Sequence, residues 1–272
     1  ITCSASFQSQ NSPTDSSDEA QLQALDAIII GAGQAGPAIA ARCSSEGLKT
    51  VVIERQHFGG TCVNVGCVPT KTLVASARAI RQAQRGAEFG FDIGRLSVDM
   101  ARVKARKDGI VVQSRQAVEA WMRGLKNVEV IVGDARFVGP ATVEVAGRRL
   151  TAPRIFLNVG GRSVRPPLPG IDSVTTLDNV SILELAEVPE HLVIVGGSYI
   201  GLEFAQMMRR FGAAVTVVEK SARLLAREDA DVSDAIRGIL EAEGVRFEMG
   251  AECLSLAPDL SLIHISEPTR LR

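Results

Sequence analysis

Two cysteines, Cys62 and Cys67, lie close together in the segment FGGTCVNVGCVPTK, residues 58–71. A pair that closes so short a loop can form and reopen a disulfide, because the flanking glycines let the backbone pack tightly and Pro69 suits the first turn of a helix. The spacing therefore predicts redox chemistry at sulfur. Two buried free thiols are one alternative. Half of a zinc site is another, although the sequence offers no second ligand pair at a suitable spacing.

A glycine-rich turn lies just upstream of the cysteines. The apolar run Ala27–Ile30 leads into GAGQAG, residues 31–36, and small residues follow. This pattern predicts a strand, a tight turn that a pyrophosphate can approach, and a helix packed on the strand. A second strand, Thr50–Ile53, ends in Glu54, near the offset at which a carboxylate binds ribose. The segment predicts a dinucleotide site, with an ordinary glycine turn as the alternative.

The same pattern recurs later in the chain. The run His191–Val195 leads into GGSYIG, residues 196–201, and a further strand over 214–218 ends in Glu219. Ser198 replaces the middle glycine, and serine is small enough for a pyrophosphate to approach. Two dinucleotide sites beside a redox cysteine pair suggest that electrons pass from nicotinamide through flavin to sulfur.

The intervening and flanking segments predict further elements. Helices are expected over 72–85 and 98–122, and the strands Val128–Val132, Thr142–Val145 and Arg154–Val159 are expected to form a meander and a strand that returns to the first sheet. Pro166–Gly170 marks a linker.

Composition excludes several classes of protein. With 46% hydrophobic residues over 272 positions, the chain can bury the core of one to two domains. A net charge of −1 without a basic stripe argues against nucleic-acid binding, and no apolar run is long enough to cross a bilayer. The five cysteines show no further paired spacing, which favours a reducing, cytoplasmic location with one catalytic pair.

These motifs together resemble the pyridine nucleotide-disulfide oxidoreductases, the group of dihydrolipoamide dehydrogenase, glutathione reductase and mercuric reductase. GGTCVNVGCVPTK carries most of the resemblance, with GAGQAG, Gly133–Phe137, Asn158–Arg162 and GGSYIGLEFA in support, over about 25–259. Asn158-Val159-Gly160 departs from the family's usual Ala-Thr-Gly, which leaves a threonine hydrogen bond there in doubt. Thr70 stands where lipoamide enzymes usually have serine, so the mercuric-reductase-like members are the most similar.

The resemblance implies an α/β fold with two Rossmann-like, three-layer domains, the second incomplete. We expect a flexible tail over 1–23, the first segment of an FAD-binding domain over 24–172 and a truncated NAD(P)-binding domain over 173–259. Residues 260–272, LSLIHISEPTRLR, resemble a translated sequencing adapter and are expected to be a non-native tail. The missing part would include the interface domain that builds a homodimer and supplies a catalytic histidine. None of the histidines present matches that role.

The resemblance also assigns catalytic roles. Cys67 would lie nearest the flavin and Cys62 would exchange with the substrate, and helix N-termini would favour thiolate at both. Lys71, one turn beyond Cys67, would face the flavin and pair with Glu203, although both charges also suit a solvated helix face. Tyr199 would cover the nicotinamide pocket, with a core role as the alternative.

The expected cofactors are FAD and NAD(P)H, with no metal. Glu219 favours NADH because a carboxylate accepts hydrogen bonds from a ribose 2′-hydroxyl and repels a 2′-phosphate, while Lys220 and Arg223 leave NADPH open. The residues expected to bind FAD are Gly31, Gly33, Gln34, Ala35, Gly36, Pro37, Glu54, Arg55, Gly60, Thr61, Lys71, Ala135 and Gly160. Those expected to bind the nicotinamide coenzyme are Gly196, Ser198, Tyr199, Ile200, Gly201 and Glu219.

The sequence thus predicts an FAD-dependent NAD(P)H oxidoreductase that passes electrons through the Cys62–Cys67 disulfide to a small disulfide, thiol or metal-ion acceptor. The 272 residues alone are expected to retain FAD weakly or not at all and to show no turnover. The alternative is an FAD/NAD-binding module without disulfide chemistry.

Overall fold

The computed structural model describes residues 22–257, so the expectations for 1–21 and 258–272 lie outside the described residues. The helices are α1 Ala35–Ser45, α2 Gly60–Val65, α3 Cys67–Gln84, α4 Met100–Arg123, α5 Tyr199–Phe211 and α6 Ala230–Ala242. The strands are β1 Leu22–Ala24, β2 Ala27–Ile30, β3 Thr50–Glu54, β4 Val128–Val132, β5 Arg136–Gly139, β6 Thr142–Val145, β7 Arg148–Thr151, β8 Ile155–Leu157, β9 His191–Val195, β10 Ala214–Glu219 and β11 Val245–Met249.

The first unit is built on a parallel sheet in the order β4-β3-β2-β8. Its central strands have the sequences AIII and TVVIE, and such near-continuous apolar runs suit strands that are covered on both faces. Ile29 and Val52 pack with Met122 of α4 on one face. Ile28 and Val51 pack on the other face with residues of the antiparallel layer. The sheet is therefore the middle of three layers.

The antiparallel layer differs from the predicted meander in the strands that form it. Val128–Val132 does not pair with Thr142–Val145, because it joins β3 as the edge of the parallel sheet. The meander is instead β5-β6-β7, and its two outer strands were not predicted. Leu22 and Gln23, which were assigned to the flexible tail, form strand β1 with Ala24 and pair in parallel with β7. The ordered unit thus begins before residue 24.

The second unit is a parallel sheet in the order β11-β10-β9, with α5 and α6 as its connections. Its apolar core includes Phe204 and Met208 of α5, Leu240 of α6 and Val217 of β10. Leu73 of α3 belongs to the same cluster, so the helix that begins at Cys67 is packed against the second unit. The predicted α/β fold with parallel sheets is confirmed.

Candidate active site

A cleft of about 540 Å³ opens at the carboxyl ends of the four parallel strands of the first unit. Strand order reverses beside β2, and such a switch point is where open α/β sheets bind ligands. Ten of the predicted site residues line the cleft, namely Gly31, Gly33, Gln34, Glu54, Arg55, Gly60, Thr61, Cys62, Ala135 and Gly160. The structure therefore brings the glycine turn and one redox cysteine to one cavity.

The glycine turn is shaped so that only glycine fits at its key positions. Gly31 has φ +102°, and a Cβ there would collide with the Asn158 carbonyl group. A Cβ at Gly36 would collide with the Gly31 carbonyl oxygen, and one at Gly60 would lie 2.5 Å from Gly33 Cα. Glycine at these positions keeps side chains out of the turn, so a pyrophosphate can approach the backbone N–H groups at the cleft wall.

Glu54 is buried at the end of β3 and holds the turn in place. Its Oε2 accepts a hydrogen bond from Ala32 N at 2.8 Å, and its Oε1 accepts from Gln56 N at 2.9 Å and His57 N at 3.2 Å. The carboxylate therefore sits at the cleft wall in a fixed position. The cavity, the glycine turn and this acceptor together fit the adenine dinucleotide part of FAD.

The remaining predicted residues of the first site lie beside the cleft rather than in its lining. Ala35 begins α1 and is exposed, whereas Gly36 and Pro37 are buried in its first turn. Lys71 lies one helical turn into α3 and is not among the lining residues. Gly36 and Pro37 thus serve the packing of the helix on the sheet.

The two redox cysteines are close neighbours, and neither is joined in a disulfide in this structure. Cys62 is half-buried in α2, and Cys67 is exposed as the first residue of α3. Burial, followed by the hydrogen bond and the charge of Cys67, raises the pKa of the Cys62 thiol, although a backbone hydrogen bond at Cys67 acts to lower it. The expected thiolate preference is therefore wrong for Cys62, because burial and the neighbouring Cys67 side chain outweigh the backbone hydrogen bond.

Asn64, between the two cysteines, ties the redox segment to the rest of the unit. Its Nδ2 donates to the carbonyl oxygens of Phe58 at 2.9 Å and Gly60 at 2.8 Å. Its Oδ1 accepts from Arg115 Nε of α4 at 2.7 Å. The loop that carries Cys62 is thus closed on itself and anchored to a long helix. Neither Asn64 nor Arg115 is among the residues predicted for the site. The position of Asn64 inside the cysteine motif is the one sequence feature that points to it.

Lys71 and Glu203 form an ion pair that joins α3 to α5 of the second unit. The Lys71 side chain is 67% exposed and that of Glu203 is 30% exposed. The predicted pairing is present in the structure, and it links the helix of the redox cysteines to the second glycine turn. Its catalytic role stays a prediction.

The second glycine turn repeats the construction of the first. Gly196 has φ +111°, and a Cβ at Gly201 would lie 2.5 Å from the Gly196 carbonyl oxygen. Glu219 accepts from Gly197 N at 2.6 Å and Ser221 N at 2.7 Å. Burial acts to raise the pKa of Glu219, but these hydrogen bonds outweigh it and the pKa is lowered. The carboxylate is therefore held ionised beside the turn.

The other predicted residues of the second turn stand at its surface. Ser198 precedes α5, Tyr199 is 68% exposed and Ile200 is 44% exposed. The open position of Tyr199 argues against the alternative of a core role. Its expected place over a nicotinamide pocket stays a prediction.

Neither a candidate metal cluster nor a membrane-spanning helix is found in the described part of the chain. Within residues 22–257 there is no cluster of three or more histidine, cysteine, aspartate or glutamate side chains that could hold a metal ion. In the same range no helix is both long and apolar enough to cross a membrane.

Comparisons with known proteins point in one direction. Residues 25–267 match the family model described as pyridine nucleotide-disulphide oxidoreductase, a match that extends past Asp259. A mercuric reductase of Bacillus cereus is 36% identical over 242 residues, which cover 88% of this chain and 38% of that protein. A dihydrolipoyl dehydrogenase of Mycoplasma pneumoniae is 35% identical over 232 residues, covering 84% of this chain and 50% of that protein.

A solved structure of a flavoprotein disulfide reductase is similar to this chain as well. The HOCl-induced flavoprotein disulfide reductase RclA from Escherichia coli has a TM-score of 0.76 at 34% identity, covering 90% of this chain and 53% of that chain. The chain spans about half the length of these relatives or less.

Proposed function

This chain belongs to the pyridine nucleotide-disulphide oxidoreductase family, and we propose that the whole protein, the product of the complete gene, is an FAD-dependent NADH oxidoreductase. In this proposal electrons pass through the Cys62–Cys67 disulfide to a small disulfide or metal-ion acceptor. The protein would work as a cytoplasmic homodimer without nucleic-acid or membrane partners.

One observation carries the proposal. Cys62 lines the same cleft as the Gly31–Gly36 turn and the Glu54 carboxylate. A dinucleotide held by that turn and that carboxylate would therefore share its cavity with a redox sulfur. The alternative, a binding module without sulfur chemistry, gives no reason for this placement.

FAD, when bound, supplies a two-electron carrier between a nicotinamide and a neighbouring disulfide. The residues that would hold it are Gly31, Gly33, Gln34, Glu54 and Gly160, all of which line the cleft. The Lys71–Glu203 pair would fix a positive charge at the start of α3, next to the cysteines.

The cysteines would carry out the exchange in three steps. Reduction of the Cys62–Cys67 disulfide takes two electrons and two protons and gives a thiol at each cysteine. After deprotonation, Cys62 Sγ attacks one sulfur of the acceptor disulfide, and the other acceptor sulfur leaves as a thiolate. Cys67 then attacks Cys62 Sγ in this mixed disulfide, closing the original bond and releasing the second acceptor thiol. Because burial raises the pKa of the Cys62 thiol, its proton must be removed before the sulfur attacks.

The second glycine turn supports NADH as the electron donor. The Glu219 carboxylate is fixed beside Gly197, where it would accept from a ribose hydroxyl and repel a 2′-phosphate. Arg223, which would have to hold that phosphate, donates instead to the carbonyl oxygens of Glu228 at 3.2 Å and Ala226 at 3.4 Å. NADPH binding would require these contacts to break.

The proposal is tested by steady-state turnover of the FAD-loaded whole protein with NADH. The acceptors are lipoamide, glutathione disulfide and mercuric ion, assayed one at a time. We expect at least one to be reduced, and we expect Cys62→Ser to abolish this activity. Cys43→Ser is the matched control, because Cys43 is a buried cysteine of α1 away from the cleft lining and should leave the activity intact. No turnover of any acceptor by wild type would favour the binding-module alternative, and equal turnover in Cys62→Ser and wild type would contradict electron transfer through the disulfide.

A further inference from the structure

Asn158 lies directly on the first glycine turn. It follows strand β8, and its backbone N–H donates to Ile30 O at 2.8 Å. Its side chain lines the same cleft as Gly33 and Gln34.

The carboxamide of Asn158 faces two backbone donors of the turn. With its oxygen toward the turn, it accepts from Gly36 N at 2.9 Å and from Gly33 N at 3.2 Å. In the opposite orientation its nitrogen reaches only the Gly31 carbonyl oxygen, at 3.4 Å. The first orientation pairs two donors at short distance, so the hydrogen bonds favour it.

This contact divides the donors of the turn into two groups. The N–H groups of Gly33 and Gly36, which face the end of β8, donate to the Asn158 carboxamide oxygen. Gln34 and Ala35 lie between them at the exposed start of α1. An N–H group at a helix N-terminus that faces outward is the kind of donor that binds a pyrophosphate.

We propose that Asn158 is a positioning residue for FAD: its carboxamide oxygen holds Gly33 and Gly36 so that the N–H groups of Gln34 and Ala35 point at the pyrophosphate. The inference rests on the proposed function, since it concerns the same FAD site. It assigns the support of the first glycine turn to the side chain that directly follows β8.

The test compares FAD affinity and turn protection in three forms of the whole protein stripped of flavin. FAD is titrated into wild type, Asn158→Ala and Asn158→Asp and followed by flavin fluorescence, and hydrogen exchange reports on the amides of Gly33 and Gly36. We expect Asn158→Ala to bind FAD about tenfold more weakly and to lose protection at the Gly33 amide, whose N–H loses this acceptor. The Gly36 amide should lose less, because its N–H also donates to the Gly33 carbonyl oxygen at 3.1 Å.

Asn158→Asp separates positioning from general damage. A carboxylate accepts from the same two N–H groups, so their protection should match that of wild type, whereas its charge next to the pyrophosphate should still weaken FAD binding about tenfold. Gln113→Ala removes a carboxamide from an exposed position of α4 and should change neither readout. If Asn158→Ala does not fold, Asn158→Asp decides alone.

The outcomes distinguish the two proposals. If wild type binds FAD and Asn158→Ala binds it equally well, or if Asn158→Asp loses protection at the Gly33 amide, the role of Asn158 is overturned while the proposed function stands. If wild type itself binds no FAD, the proposed function fails and the role of Asn158 fails with it.

Discussion

Glu54 and Glu219 occupy equivalent positions in two successive glycine turns. Each ends a buried strand and accepts from the second residue of its turn, Ala32 N at 2.8 Å and Gly197 N at 2.6 Å. Each also accepts from the backbone N–H two residues further on. The chain has thus built the same carboxylate clamp twice, which is what two dinucleotide sites of the same type require.

Glu219→Gln tests coenzyme choice. The amide replaces one acceptor oxygen with a donor and removes the charge, so the ribose contact and the repulsion of a 2′-phosphate both weaken. We expect the preference for NADH over NADPH, measured as the ratio of kcat/KM values, to fall about tenfold, a loss of about 1.4 kcal/mol in discrimination. Glu228→Gln, at an exposed position of the following loop, should leave the ratio unchanged. An unchanged ratio in Glu219→Gln would contradict the assignment.

Glu203→Gln tests the ion pair between the two units. Because the Lys71 partner is largely exposed, the free energy of unfolding should change by less than about 1 kcal/mol. The rate of NADH-dependent acceptor reduction should fall about 10- to 100-fold, because Lys71 would no longer be held in place. Glu187→Gln, an exposed control, should affect neither quantity. A wild-type rate in Glu203→Gln would show that the pair is only a surface contact.

The raised pKa of Cys62 predicts the pH dependence of its alkylation. The thiolate is the nucleophile, and a pKa above the ordinary 9.0 means that the thiol form prevails at pH 8. In the reduced protein the rate of Cys62 alkylation by iodoacetamide should therefore rise about tenfold per pH unit up to pH 9. Cys67→Ala removes the side-chain hydrogen bond and charge that help to raise the pKa, so alkylation at pH 8 should become faster. A wild-type rate that levels off below pH 8 would refute this.

Arg115→Leu tests the anchor of the redox segment. The change removes the 2.7 Å hydrogen bond to Asn64 and leaves Asn64 Oδ1 without this donor. We expect the free energy of unfolding in urea to fall by about 1–3 kcal/mol. Arg102→Leu makes the same replacement at an exposed position of the same helix and should cost less than about 0.5 kcal/mol. Equal stability of the two variants would mean that the anchor contributes nothing.

The sequence was most informative where a site is made from consecutive residues. The cysteine motif and both glycine turns each lie in one short segment, and strands β2, β4 and β9 have the predicted bounds. In such segments the local order of residue types already determines the backbone that the chemistry needs.

The sequence was least informative where partners are distant along the chain. Strand β7 has the sequence RRLT, in which only Leu150 is apolar, and its Arg148 is matched by Glu129 on another strand. The contact of Asn158 with the first glycine turn joins residues more than a hundred positions apart. Pairings of this kind follow from the assembled sheet, because no local periodicity encodes them.

The central claim is that electrons from NADH reach the Cys62–Cys67 pair, and a thiol count measures this directly. The FAD-loaded whole protein, with its disulfide oxidised, is treated with NADH without oxygen, freed of excess reductant and denatured, and its thiols are then titrated. We predict a gain of two thiols per chain in wild type and in Cys43→Ser, and no such gain in Cys62→Ser or Cys67→Ser. Bound FAD that is reduced by NADH with no gain of thiols in wild type would contradict the account.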